Sequence, residues 1–463
     1  MFLLTTPSTK QLTGTISGFT DYSEAEHIQI SEWKKIIAEV YAKYGFNRFE
    51  PRPVEYTKSL CKEGGIPKQI FTIGRLETET MTDLALPFDR TVPLALWVNR
   101  HATNILFPYK RQDIGISWRG EHAQLGRFRA FYQADADIIG RLLQLTADAE
   151  CLAAIYSALL AIGVNDFRIY LNHMDVSKAL VRTLNPDEKQ IPELLRIIDK
   201  IEKITKEEMI GEIHTLLPHL TEERLRCFTD IISFKGPLSD FSFAMIEHEE
   251  EAKFAEKQLR TLFELIETHG IPLEIISFCP SMVRGLDYYT GVVFETYLNN
   301  ISGGGSIASG GRYDKLVESV SDTPVAAAEG LEGVGGSIGL TRLFELVTHH
   351  GLIIPTKRTD ADVFVCTRLD VEKQSTLTRI ATAIATMVRK KGLKVDTEVA
   401  SQNKFKKHLS YAERKGFPFV IGVMDDQGEK NIFVRNMRTK TQEDVSTPDE
   451  AIESLLRQLA LLE

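Results

Sequence analysis

The 463-residue sequence predicts an α+β domain built on an antiparallel sheet, interrupted by a helical insertion and followed by a separate C-terminal α/β domain. Three observations carry this prediction. "ILFPYKRQDIGISWRG" and "GRFRAFYQADADIIG" alternate as two strands joined by the short loop "GEHAQLG". Over about 175–269, charged helical faces replace the glycines and aromatics of the flanking segments. After the linker "LIIPTKRTD" the period changes, and strand–helix–strand–helix–strand follows. We therefore place the first domain at 1–355, with its insertion at about 175–269, and the second at 360–463.

In chain order, Ser23 and Glu26 have capping-box spacing. Trp33, Ile36, Ile37, Val40, Tyr41 and Tyr44 then recur at helical period until Gly45 ends the first helix. "FNRFEPRPVE" is extended and broken by Pro51 and Pro53. Residues 83–140 read as turn, short helix, strand, loop and strand. Beyond the insertion, "LEIISF" and "RGLDYYTGVVFETYL" resume the strands. "ISGGGSIASGGRYDKLVESV" is a glycine-rich turn leading to a helix or strand end, and "GVGGSIGLTRLFELVTHHG" a glycine-rich strand entering a helix. In the second domain "ADVFVCT" is a strand, 372–391 a helix ended by Gly392, and "LKVDTEV" a strand. Residues 403–415 form a basic helix ended by Gly416. Its Lys404, Lys407 and Arg414 lie near a polar face, partly opposed by Phe405, Leu409 and Tyr411. "FPFVIGVM" and "NIFVRNM" are strands, and Thr447, Pro448 and Glu450 open a last helix with Ile452, Leu455, Leu456 and Leu459 inward.

The apolar fraction of 43% and charged fraction of 26% are those of an ordinary soluble globular protein. No apolar run reaches membrane-spanning length, and "MFLLTTPSTKQLTG" is too short and polar for a signal peptide. Cys61, Cys151, Cys227, Cys279 and Cys366 are far apart and form no CxxC or Cys/His cluster. That argues against a zinc site or a disulfide framework, and for a reducing cytoplasm. A net charge of −9 is not that of a nucleic-acid binder, but from Ala361 onward 17 Lys/Arg face 15 Asp/Glu, leaving −11 to the rest. A mildly basic tail suits an anionic partner at that end, although net charge by itself usually speaks only to solubility.

Three glycine-rich stretches lack the GxGxxG and GxxxxGK[ST] spacings of nucleotide loops, so they read first as turns. The arginines say more. Arg119, Arg127, Arg129, Arg284 and Arg342 lie in or beside predicted strands. A lone arginine there is ordinarily solvated or salt-bridged. Several meeting on one sheet would form a polyphosphate site, because guanidinium forks match phosphate oxygens in pairs. Gln133, Asp135 and Asp137 alternate, so period two puts them on one face. Set against "DYY" at 287–289, that face is costly to bury as pure structure and suits a small amine-bearing substrate.

At these residues the chain resembles the class II aminoacyl-tRNA synthetases and, within them, the histidyl-tRNA synthetase family. "SWRGEHAQLGRFRAFYQADADIIG" is similar to motif 2, "GSIGLTRLFEL" to motif 3 and "YGFNRFEPRPVE" to motif 1, the dimer-interface helix and strand. "VRGLDYYTGVVFE" and "ASGGRYDKLV" resemble the two histidine-specific motifs, and "KFKKHLSYAERKGFPFVIGV" with "NMRTKTQ" the anticodon-binding domain. The resemblance spans nearly the whole chain and implies ATP-dependent attachment of L-histidine to tRNA(His) through histidyl-adenylate. It further implies Mg²⁺ carried with ATP, no resident metal, and a cytoplasmic homodimer. Residue by residue, it implies that Arg119 holds the α-phosphate and the substrate carboxylate, and that Glu121 fixes the adenine amino group. Phe131 and Arg342 would sandwich adenine, and Arg127 and Arg342 would reach the distal phosphates. Arg284 would stabilise charge at the α-phosphate. Asp89, Thr91 and Gln133 would bind the α-amino group, Asp137 and Tyr289 would read the imidazole, and Tyr288 and Tyr313 would close the pocket.

The chain departs from the family pattern in three places. Pro87 stands where relatives have an arginine early in Leu-Arg-x-acid-x-Thr, and Thr341 where motif 3 usually has glutamate. The motif 2 loop lacks the Arg-Pro that often precedes its glutamine. Two other readings share the fold. Non-catalytic paralogues, like the regulatory subunit of ATP phosphoribosyltransferase, usually lack the tail domain and lose ATP-contacting arginines. Class II synthetases for proline, threonine or glycine have a similar tail but not "RGLDYY".

Overall fold

The computed structural model describes residues 14–61, 69–75, 82–141, 143–283, 289–301, 303–320, 326–367, 374–398, 405–426 and 429–460. The chain divides into two compact units: Trp33–Leu352 with the chain up to Asp21, and Ile353–Glu463 with Tyr22–Glu32. Helix α1 (Glu24–Lys43) opens on the expected capping box. Ser23 N–H donates to Glu26 Oε2 at 2.7 Å, and Glu26 N–H to Ser23 Oγ at 3.5 Å. Trp33, Ile37, Val40 and Tyr41 are buried, as the period requires, and Gly45 ends the helix with a φ of 81°.

Next come β1 (Asn47–Arg48), β2 (Glu55–Tyr56), the single-turn α2 (Thr57–Leu60) and β3 (Leu84–Ala85), with β2 and β3 paired to each other. Helix α3 (Thr91–His101) leads into the long antiparallel pair β4 (Tyr109–Trp118) and β5 (Ala130–Gly140). Among the longer elements, α4 (Leu145–Ala161) and β6 (Phe167–His173) lie outside the sequence-based expectation. Helix α4 is rich in Ala and Leu and mostly buried, so little amphipathic period marks it. The insertion is helical as predicted: α5 (Met174–Arg182), α6 (Ile191–Ile198), α7 (Lys206–Leu216), α8 (Glu222–Ile232) and α9 (Glu250–Thr268). The unit closes with β7 (Ile276–Phe278), β8 (Val292–Leu298), β9 (Ala308–Arg312), α10 (Leu316–Ser319), β10 (Glu332–Gly339) and α11 (Leu340–His349).

Among the described residues the main sheet has eight strands in the order β1–β4–β5–β10–β9–β8–β6–β7. Every pairing from β4 to β6 is antiparallel, and only the outer pairs β1/β4 and β6/β7 are parallel. Strand β10 is the last of these eight in chain order but sits between β5 and β9, in the middle of the sheet. It brings Gly333, Gly335 and Gly339 to the face shared by Asp135 and Asp137.

The second unit has its own sheet and core. Its elements are β11 (Val363–Thr367), α12 (Gln374–Lys390), β12 (Val395–Thr397), α13 (Phe405–Lys415), β13 (Phe419–Asp426), β14 (Glu429–Asn436), β15 (Gln442–Val445) and α14 (Pro448–Ala460). The order is β12–β11–β13–β14–β15, parallel through β13 and antiparallel beyond. Val363, Val365, Ile421 and Val434 pack with residues of α12 and α14, while Phe364, Val420 and Phe433 pack with Ala412 of α13. Strand β15 alternates exposed and half-buried residues, and only Val445 of its four is apolar, so it carries little apolar strand signal. One inward assignment is corrected. Leu456 is 36% exposed, because α14 turns Ala451, Ile452, Ser454 and Leu455 to the interior. The Ser454 hydroxyl donates to Glu443 Oε2 at 2.7 Å. Lys404 lies outside the described residues, whereas Lys406, Lys407 and Arg414 are exposed on α13.

Candidate active site

Antiparallel register builds the site. Arg111, Asp113, Gly115 and Ser117 of β4 lie opposite Asp137, Asp135, Gln133 and Phe131 of β5. On the other side of β5, Gly335, Ser337 and Gly339 of β10 lie opposite Asp137, Asp135 and Gln133. Gly311 and Ser309 of β9 then face Gly335 and Ser337. Opposed residues share a face, so one row of β5, from Phe131 to Asp137, runs roughly 20 Å along a floor of small residues.

At the Phe131 end the sheet face opens into a cavity. Arg119, Glu121, Arg127, Phe131, Gln133 and Arg342 line it. Arg119 is anchored: its Nε donates to the Phe88 carbonyl at 3.0 Å, and its guanidinium lies 5.0 Å from the Phe131 ring centre. Arg342 is clamped by the carbonyls of Gly126 at 2.6 Å and Ser306 at 2.9 Å. Burial, and then Arg127 and Arg119, push its pKa below the usual arginine range. Three guanidiniums that disfavour one another around one cavity fit a polyanion better than an empty pocket. Arg127 Nη1 is 3.8 Å from Glu121 Oε2.

Two positions singled out in the sequence take structural places. Arg129 does not join the cavity. Its Nε donates to the Glu121 carbonyl at 3.2 Å, and its backbone N–H to Gly18 O at 2.7 Å, so it anchors the segment at Gly18. Thr341, in place of the family's glutamate, is buried, and its Oγ1 accepts from Tyr132 N–H at 2.8 Å. It ties α11 to β5 without adding charge to the site.

At the Asp137 end the groups are acidic. Asp137 Oδ1 accepts from the Tyr313 hydroxyl at 2.6 Å, and Oδ2 lies 2.9 Å from Arg111 Nη2. Glycines make the room: a β-carbon at Gly335 would overlap Asp137 Oδ1, and one at Gly333 would overlap the Tyr313 ring. Tyr289 packs over Gly311, where a β-carbon would come within 3.0 Å of its Cδ1. Gln133 is held by the Ser117 hydroxyl at 2.5 Å and donates to Ser337 Oγ at 3.1 Å. Asp89 Oδ1 accepts from Val92 N–H at 3.1 Å, while its buried Oδ2 has no hydrogen-bond partner. Thr91, the first residue of α3, is half-buried beside it. Arg284 and Tyr288 lie outside the described residues.

The charges here were only partly legible in the sequence. Asp89, Asp113, Asp135 and Asp137 are all buried, with Arg90 and Arg111 buried among them. When ionised, this cluster carries two more negative than positive charges, a deficit that suits a bound ammonium. Arg90 and Arg111 were missed because charged residues in or beside strands usually face water. The signal was the spacing of Arg111 and Asp113 in "YKRQDIGIS", which matches that of Asp135 and Asp137 across the pair.

Burial pushes the Asp89 carboxyl up to about 6, against the Val92 N–H bond and Arg119, and also raises Asp137, against Arg111. Asp89 therefore contributes stability that is full below about pH 4 and is lost as pH rises through about 6. We expect Asp89→Asn to be more stable than the parent at pH 7.5, by on the order of 2 kcal/mol, and to lose that advantage towards pH 4.5. Denaturant melts at the two pH values test this. A constant difference would show that Asp89 is not held uncomfortably ionised.

Comparison with known proteins identifies the family. The family model described as histidyl-tRNA synthetase matches residues 18–343, and the anticodon binding domain model matches residues 352–458. A histidine–tRNA ligase of Treponema denticola is 36% identical over 342 residues, covering 72% of this chain and 74% of that protein. One of Clostridium tetani is 33% identical, covering 94% and 96%. The crystal structure of histidyl-tRNA synthetase from Nostoc sp. PCC 7120 superposes with a TM-score of 0.81 at 28% identity, covering 96% of this chain and 99% of that one. A catalytic-type sheet with this arginine and acid arrangement, joined to a tail of the anticodon-binding kind, places the chain in the histidyl-tRNA synthetase family of class II aminoacyl-tRNA synthetases.

Proposed function

We propose that this protein activates L-histidine with ATP and transfers it to tRNA(His). The observation that carries the reading is the single row Phe131–Gln133–Asp135–Asp137, which joins an arginine-lined cavity to a buried acidic cluster. ATP would lie at the Phe131 end, its adenine between Phe131 and Arg342 and its amino group at Glu121. Arg119 would meet the α-phosphate and the amino-acid carboxylate, and Arg127 and Arg342 the distal phosphates. Mg²⁺ would enter with ATP as part of that substrate. Asp89, Thr91 and Gln133 would hold the α-ammonium, while Asp137, Tyr289 and Tyr313 would read the imidazole. Arg284 and Tyr288 keep the roles that the family resemblance implies.

The chemistry is an in-line displacement. A histidine carboxylate oxygen attacks the α-phosphorus and pyrophosphate leaves. A hydroxyl of the terminal adenosine of the tRNA then attacks the acyl carbon and AMP leaves. Anchored guanidiniums meet the charge that develops, without reorganising and without a side-chain nucleophile. The cavity arginines and the tail domain favour this reading over a non-catalytic paralogue.

We assign adenylation to residues 1–355 and anticodon contact to 360–463, in a cytoplasmic homodimer formed through α1 and β1. All five cysteines are free, in keeping with a reducing compartment. Among the described residues no helix is long and apolar enough to cross a membrane.

ATP–pyrophosphate exchange with each of the twenty amino acids tests the function. Histidine alone should support it, and exchange with proline, threonine or glycine instead would overturn the assignment. Asp137→Ala should lower kcat/KM for histidine by the equivalent of about 1–3 kcal/mol, with the ATP KM little changed. A shift confined to ATP would move Asp137 to the other ligand.

A further inference from the structure

Arg111 lies beside the acidic end of the row on the same sheet face, fully buried and apart from the residues that line the arginine-bearing cavity. Burying a guanidinium is expensive unless carboxylates meet it. Four contacts surround this one. Nη2 donates to the Arg90 carbonyl at 3.1 Å and lies 2.9 Å from Asp137 Oδ2 and 3.4 Å from Asp135 Oδ2, while Nη1 is 3.5 Å from Asp113 Oδ2. Asp113 already has a closer partner in Arg90, whose Nε and Nη2 reach it at 2.6 and 2.5 Å. The positive charge of Arg111 is therefore left chiefly to Asp135 and Asp137. These two sit two residues apart on one strand face, where like charges repel.

The result is a directed arrangement. Asp137 Oδ1 accepts from the Tyr313 hydroxyl, and its Oδ2 stands 2.9 Å from Arg111 Nη2 as an ion pair without hydrogen-bond geometry, so the two groups bracket the carboxylate. Asp135 is buried, and its Oδ1 has no hydrogen-bond partner, so an acceptor is left open beside the row. A strand that only needed filling would place an apolar side chain at 111, and the adjacent acids would then share a proton.

We propose that Arg111 is a positioning residue for amino-acid selection: beside them on the sheet face, it brackets the Asp137 carboxylate together with Tyr313 and offsets the charge of the Asp135–Asp137 pair, so that this end of the site takes a ligand bringing both a cation and an N–H donor. The proposal deepens the histidine reading above and rests on it. Among the described residues, the groups around Asp137 are Arg111 and Asp113 from β4, Asp135 from β5 and Tyr313 beyond β9. Tyr41 of α1 and Cys151 of α4 also feel its charge, and burial holds both neutral. Burial raises Asp137, and Arg111 is the largest influence opposing that rise.

The test is exchange kinetics on the full chain from pH 6 to 9 for the parent, Arg111→Met, Arg111→Lys and Asp135→Asn. Arg111→Met should raise the histidine KM about tenfold or more at pH 7, leave the ATP KM within about twofold, and move the acid limb of kcat/KM for histidine up by about one pH unit. Arg111→Lys should restore most of the loss. Asp135→Asn should move the limb the other way, to lower pH, because one neighbouring negative charge is gone. The imidazole of free histidine titrates identically in every assay, so differences belong to the protein. A purely structural arginine would lower kcat and melting temperature with the limb in place. That outcome in Arg111→Met overturns the proposal. If that variant does not fold, an unmoved limb in Asp135→Asn overturns it instead. A parent enzyme without histidine-dependent exchange removes the functional reading itself, and this proposal with it.

Discussion

Arg119→Ala should slow histidine-dependent ATP–pyrophosphate exchange by about a thousandfold while the protein remains folded. The side chain is half-buried at the end of β4, so its loss leaves no core cavity. Its work is electrostatic. Its Nε bond to the Phe88 carbonyl fixes the guanidinium before any ligand arrives, and it lies against Phe131 on the cavity wall. A preorganised donor aimed at developing charge is worth about 100- to 1,000-fold in rate. Arg119 is proposed to serve both the α-phosphate and the attacking carboxylate, which puts the estimate at the upper end. Arg119→Lys should recover little, because an ammonium cannot form the same planar fork. Exchange reduced by less than about tenfold in the alanine variant would remove Arg119 from the reacting centre.

A chain ending at Thr359 should keep histidine-dependent exchange, at least in part, and lose about a hundredfold or more of its tRNA aminoacylation. The first unit has an apolar core of its own, from Leu60 and Val92 to Val317 and Leu331. The second packs Val363, Ile421, Val434 and Leu455 among themselves. The residues proposed to bind ATP and histidine all precede Thr359. What goes with the tail is the surface matched by the anticodon binding domain model, including exposed Lys406, Lys407 and Arg414. Phosphate neutralisation by such groups makes binding salt-dependent, so aminoacylation by the full chain should weaken with salt more steeply than exchange does. Full-rate aminoacylation by the shortened chain would show that the tail does not bind tRNA. Complete loss of exchange would show that the first unit depends on the tail for its fold.

Several site features were legible in the sequence because they depend on local period and chemical type. The Ser23–Glu26 capping box forms as spaced, and the helical insertion stands where charged faces replaced glycine and aromatic residues. Period two alone put Gln133, Asp135 and Asp137 on one face. The glycine-rich strand entering a helix is β10 running into α11.

Other features required the assembled sheet. Nothing local says that β10 inserts between β5 and β9, so nothing local says that Gly335 makes room for Asp137. Arg119 and Arg129 look alike in the sequence, yet one lines the cavity and the other anchors the segment at Gly18. Arg111 reads as a solvent-facing strand residue until register sets it opposite Asp137. Which side chains share a strand or helix face is readable from residue order, because it follows from backbone geometry within a few residues. Which faces meet and which charges are buried together emerges with the folded sheet, because strand order and register come from long-range pairing, and the meaning of a charge depends on the group across from it.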